Sequence, residues 1–168
     1  NYLIESGHNR IATITGKLSA QAGIQRLGGF KNALKKNNIG IDDRYIINGD
    51  WTKESGKGAM KKLLLLKNKL PSAVFVAGDE MAIGAMETVK EAGLKIPEDI
   101  SFVGFDNIPE ASAPEVSLTT VEQPFFDMAK LGIKYLIQII ENKPKQPVRV
   151  LLDNIKLIKR TSVKDLIK

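Results

Sequence analysis

Apolar residues along the first hundred positions follow two alternating periods. Short apolar runs at residues 11–14, 45–47 and 100–105, and another just after Pro71, have the length of strands covered on both faces. Between them apolar residues recur at the three-then-four spacing of one helical face. This spacing predicts a helix from about residue 19 or 20 to 37 burying Ile24, Leu27, Phe30 and Leu34. A second helix, capped by Thr52, turns Ala59, Met60, Leu63 and Leu66 inward, and a third buries Ala82, Ala85, Met86 and Val89. Asp79 is placed to cap the third, and Gly93 to stop it. A helix end at residues 2–6 closes on Gly7, beside which His8 can meet free carbonyls.

Strand and helix in strict alternation predict an α/β fold, a parallel sheet with helices on both faces. Ligands of such sheets bind beyond the carboxyl ends of the strands. Four strand ends would deliver the loops around residues 15–26, 49–52, 78–79 and 106–107 to one edge. After Pro109 the pattern changes. Residues 117–121 read as extended, and Gln123-Pro124 opens a helix with Phe125, Met128, Ile133, Leu136 and Ile140 on one face. Lys143-Pro144 and Pro147 read as a linker, residues 148–152 and 155–158 as a hairpin of edge strands, and residues 159–168 as a polar tail.

Composition narrows the function. The chain has 168 residues, 43% hydrophobic and 26% charged, as soluble globular proteins have. No apolar run approaches the roughly 20 residues that span a bilayer, and no signal-peptide pattern opens the chain. Asn1 starts a helical stretch without a cap, which suggests further sequence upstream. With no cysteine there is no thiolate metal site, disulfide or cysteine nucleophile. The net charge of +6 permits an anionic partner, but the lysines are scattered over helices as solvated faces are.

No catalytic motif is recognisable. Gly56-Lys57 lacks phosphate-loop spacing, Gly56-x-Gly58 lies inside a helix, and Asp42-Asp43 suits a turn better than a metal pair. No cofactor, catalytic group or metal site is expected. Polar and aromatic residues remain at the sheet edge. Trp51 suits stacking on a ligand ring or packing in the core. Arg26 interrupts an apolar helix face and suits ligand oxygens or a surface ion pair. Asp106 suits an acceptor role or a turn.

At this point the sequence resembles a family. Residues 2–12 (YLIESGHNRIA), 26–30 (RLGGF), 73–85 (AVFVAGDEMAIGA), 96–107 (IPEDISFVGFDN) and 118–124 (LTTVEQP) are similar to successive blocks of the LacI/GalR transcription regulators. The resemblance implies a periplasmic-binding-protein-like effector domain of two lobes behind a DNA-binding headpiece. Residues 1–118 would form its C-terminal lobe. Residues 119–144 would be a hinge crossover and a helix of the N-terminal lobe, and residues 145–168 the return and tail.

By that resemblance Arg26 would hold ligand oxygens, Trp51 would stack on the ligand, Asp106 would accept from its hydroxyl or amine groups, and Phe125 would form an apolar wall. Gly78 stands where sugar-binding members carry an asparagine, so a hydrogen bond to the ligand from that position is absent. The implied protein is a cytoplasmic, homodimeric regulator without membrane contact. Its partners are a small effector, expected to be a sugar or sugar phosphate, and operator DNA bound by a headpiece outside this chain. The alternative is a periplasmic sugar-binding protein of a transporter.

Overall fold

The computed structural model describes residues 1–142, 149–152 and 155–167. Six strands form one sheet in the order β2-β1-β3-β4-β5-β6: β1 (Ile11–Thr15), β2 (Ile46–Asn48), β3 (Ala73–Val76), β4 (Ser101–Asp106), β5 (Thr119–Glu122) and β6 (Lys156–Ile158). The first five run parallel; β6 is antiparallel to β5. The helices are α1 (Tyr2–Glu5), α2 (Gln21–Lys36), α3 (Lys53–Leu64), α4 (Asp79–Glu91) and α5 (Phe125–Asn142).

Alternation along the strands divides the core in two. Ala12, Ile14, Val74, Val76 and Phe102 face α3 and α4, joined by Met60, Leu63, Ala85 and Val89. Ile11, Ala73, Phe75 and Val103 face the other way, toward Leu3 of α1 and Phe30 and Leu34 of α2. Covered on both sides, such strands need no polar face. Thr52 caps α3 as expected, its hydroxyl accepting from the Ser55 amide at 3.2 Å. Gly7 and Gly93 take the positive φ that their helix ends require.

α3 and α4 touch through glycine in both directions. A Cβ on Gly56 would run into the Met81 carbonyl, and one on Gly84 into the Lys53 carbonyl. The two backbones therefore meet without side chains between them. Outside this contact Glu87 of α4 pairs with Lys53 at 2.6 Å and Lys57 at 3.0 Å.

Several expectations need correction. Ile24 is 51% exposed, because the buried face of α2 passes through Gly23, Phe30 and Leu34, and position 24 is turned about 100° from Gly23. Asp79 is not the cap of α4. Gly78 occupies the cap position, and the Asp79 side chain turns into the core instead. Of the expected hairpin of edge strands the described residues show one strand, β6, paired back onto β5; residues 149–152 carry no strand. The proline linker lies outside the described residues.

The expected polar tail is a structural seam. The Phe102 amide donates to the Ser162 carbonyl at 2.7 Å, the buried Ser162 hydroxyl donates to the Phe102 carbonyl at 2.7 Å and accepts from the Thr119 amide at 2.8 Å, and the Leu166 amide donates to Ser6 at 2.9 Å. His8 joins the same seam. Its Nδ1 lies 3.0 Å from the Ser72 hydroxyl and its Nε2 3.1 Å from the Lys164 carbonyl, so the ring bridges the residue that leads into β3 and the tail.

Burial pushes the His8 imidazole below its ordinary value, against the bond to the Lys164 carbonyl, which raises it. The folded chain then binds its proton less readily than the unfolded one. Stability present above about pH 6.5 is therefore lost as pH falls through the folded value. Thermal melts between pH 7.5 and 5 are expected to show this loss, and His8→Gln should flatten that part of the profile. An unchanged acid slope in the variant would assign the dependence elsewhere.

Candidate functional site

The carboxyl ends of β1 to β5 open on one edge, and each contributes to a single cluster there. Beyond β2, Asp50 folds the chain back by accepting from the Thr52 amide at 3.0 Å and its hydroxyl at 2.6 Å. These bonds hold the Asp50 carboxyl down at about 2. They also fix Trp51 with φ 82°, in a region that a bulky residue seldom adopts. The indole lies across Gly16, where any Cβ would collide with its ring, and beside Gly78.

Arg26 comes from the second turn of α2. It donates through Nη1 to the Ala77 carbonyl at the end of β3, and its Nη2 is 3.4 Å from Asp106 Oδ1 at the end of β4. Its Cζ sits over the Phe105 ring at 3.8 Å from the centroid, and at 5.3 Å from that of Trp51. Gln123, just past β5, donates from Nε2 to the same Asp106 oxygen at 2.5 Å. Asp106 and Asn107 both have positive φ, 121° and 59°. Left-handed backbone at three residues around one cluster marks a site held in shape by its surroundings.

Burial moves both members of the ion pair away from charge. It pushes the Asp106 carboxyl up, opposed by the Gln123 bond and the nearby Arg26. The same effect lowers the Arg26 guanidinium, opposed by Asp106, although arginine stays protonated throughout the accessible range. The cluster offers a cation with a planar fork, a carboxylate, a side-chain amide and an indole. It presents donors, acceptors and an apolar wall, the equipment for reversible binding of a small polar ligand. Among the described residues no histidine or carboxylate group is clustered to hold a metal ion.

The structure thus brings together Arg26, Trp51 and Asp106. Phe125 follows Gln123 at the start of α5, 52% exposed, its amide donating to the Gln123 carbonyl at 2.9 Å. Gly78 borders the site. A Cβ there would stand 3.5 Å from Asp106 Oδ2 and 3.6 Å from Trp51 Cε3, ordinary contacts, so glycine leaves a notch between the two. Phe105 was invisible in sequence, because an aromatic residue ending an apolar run reads as core.

Residues 1–163 match the sequence profile of the periplasmic binding protein-like domain. The chain belongs to this family. Its relatives include the HTH-type transcriptional repressor PurR of Klebsiella pneumoniae strain 342, 38% identical over 164 residues, which cover 98% of this chain and 48% of that protein. Among solved structures, a transcriptional regulator CelR–cellobiose complex superposes with a TM-score of 0.90 at 36% identity, over 96% of this chain and 49% of the other. The lac repressor dimer bound to operator and the anti-inducer ONPF gives 0.84 at 31% identity, over 97% and 55%. This periplasmic-binding-protein-like chain is a part of a LacI/GalR-type effector-binding domain, and it spans about half the length of the curated relatives it matches. No helix among the described residues is long and apolar enough to cross a membrane.

Proposed function

We propose that this domain is the sensing part of a cytoplasmic LacI-type transcription regulator, and that a small carbohydrate binds at the cluster of Arg26, Trp51, Asp106 and Gln123. The observation that carries the reading is the convergence of five strand ends on that one cluster. A pyranose presents an apolar face and a rim of hydroxyls. Trp51 matches the face, and Arg26, Asp106 and Gln123 match the rim. A relative solved with cellobiose supports the ligand class.

The mechanism is differential binding without chemistry. A ligand held between this lobe and a second one favours whichever hinge state contacts it on both sides, and that preference is passed to DNA-binding headpieces paired by a homodimer. Residues 1–118 form the C-terminal lobe in this reading. β5 remains paired on the sheet of that lobe; after it the chain leaves, carrying α5 to the other lobe, and β6 with the tail returns. The exposed Phe126, Ile133, Leu136 and Ile140 of α5 fit burial in that lobe.

Trp51 is the single tryptophan of this chain and reports directly on the site. With other tryptophans of the complete protein replaced, titration with mono- and disaccharides, cellobiose among them, and with sugar phosphates is expected to shift its emission. The same ligand should change retention of DNA from upstream of the protein's own gene. Saccharide binding with no DNA affinity at low salt would instead indicate a transporter's binding protein. No response to any saccharide would overturn the ligand class.

A further inference from the structure

Asp79 is wholly enclosed, an unusual place for a carboxylate that faces no cation directly. Its Oδ1 accepts from the Thr120 hydroxyl at 2.6 Å and its Oδ2 from the Ile108 amide at 3.1 Å, and the nearby amides of Phe105 and Asn107 also favour its charge. Burial pushes this carboxyl up, and those bonds, led by that of Thr120, pull it back. Each of these groups favours the carboxylate over its protonated form, against the cost of burial.

The amides belong to residues flanking Asp106, in a turn where Asp106 and Asn107 both have positive φ. No glycine relieves that turn. Gly104 instead makes room for the carboxylate, since a Cβ there would collide with Asp79 Oδ1. The far side of the turn is held separately: Asn107 Oδ1 accepts from Arg160 Nη2 at 2.8 Å, and Asn107 Nδ2 donates to Glu122 at 2.9 Å.

We infer that Asp79 is a positioning residue whose carboxylate folds residues 105–108 around itself and so aims Asp106 at Arg26 and Gln123. It also ties that turn to β5 through Thr120, the strand that leads to Gln123. The geometry stands by itself; its importance for binding rests on the reading of Asp106 as facing the effector.

The test needs no ligand. In the complete protein labelled with 15N-glutamine, the Gln123 side-chain amide is expected to be shifted well away from free glutamine by its short bond to Asp106. Asp79→Asn should return it to the free position and raise acrylamide quenching of Trp51. Val89→Ala, which removes buried apolar volume from the same helix, should leave both unchanged despite its loss of stability. If Asp79→Asn does not fold, Thr120→Val, which removes one donor and keeps the charge, is expected to shift the Gln123 signal partway. An unmoved Gln123 signal in the folded Asp79 or Thr120 variant, or an equal movement in Val89→Ala, would overturn the inference. Failure of every saccharide to perturb Trp51 would overturn only the ligand reading.

Discussion

Arg26→Ala is expected to weaken binding of any saccharide that shifts Trp51 emission by about 100-fold, since a hydrogen bond to a charged group contributes about 1.5–3 kcal/mol. The variant loses more than a donor to the ligand. Asp106, already pushed up by burial, would lose the cation at 3.4 Å that opposes that shift, the Ala77 carbonyl would lose its donor, and Phe105 and Trp51 would lose the group between their rings. Arg26→Lys should recover little, because an ammonium cannot span Ala77 and Asp106 as a planar fork does. Calorimetric titration of the wild type and both variants decides this. Retained affinity in Arg26→Ala would remove the guanidinium from the site.

Gly56→Ala is expected to be strongly disruptive for a single added methyl. The new Cβ must displace the Met81 carbonyl, which belongs to the backbone of α4 and cannot rotate away as a side chain would. Overpacking of this kind typically costs about 1–3 kcal/mol, and a backbone obstacle belongs at the upper end. For a chain of this length that is a fall of roughly 5–10 °C in melting temperature. Gly58→Ala, about 200° around the same helix with open space at its Cβ, serves as the control and should be neutral or slightly stabilising. The effect should also reach the site. α3 begins just after Trp51 and α4 just after Gly78, so parting the helices parts those two residues, and a shift in Trp51 emission should accompany the lower stability. Equal melting temperatures for the two variants would show that α3 and α4 are less closely apposed.

The order of elements was legible because strand and helix periods alternate cleanly from Ile11 to Phe105, and the shared edge followed from a parallel sheet. What sequence could not show were contacts decided by a single rotation or by distant segments. Ile24 satisfied the helical spacing but lay one residue off the buried stripe, which was marked by Gly23, a residue that carries no hydropathy signal. Asp79 had every local attribute of a cap. Only the arrival of Thr120 and the 105–108 turn, donors from other parts of the chain, explains why it faces inward.

The site divided in the same way. Arg26, Trp51 and Asp106 were marked by chemistry out of keeping with their neighbours, and the fold gathers them. Phe105 carried no such mark, and Asp79 carried the mark of a cap, since the part each plays depends on what lies across the sheet. The tail was misjudged for a related reason: Ser162 looks like a solvent residue until Phe102 is placed beside it, and the Lys164 carbonyl has no visible role until His8 reaches it.

That tail has a kinetic consequence. The contact of His8 with Lys164 joins positions 156 residues apart, and the Ser6–Leu166 bond closes a loop of similar size. Bringing such distant positions together costs loop entropy that only a largely assembled sheet offsets. The parallel core from β1 to β4 is therefore expected to gather first, with its base still open, and the chain to acquire its full cooperativity only when the last dozen residues zip along it.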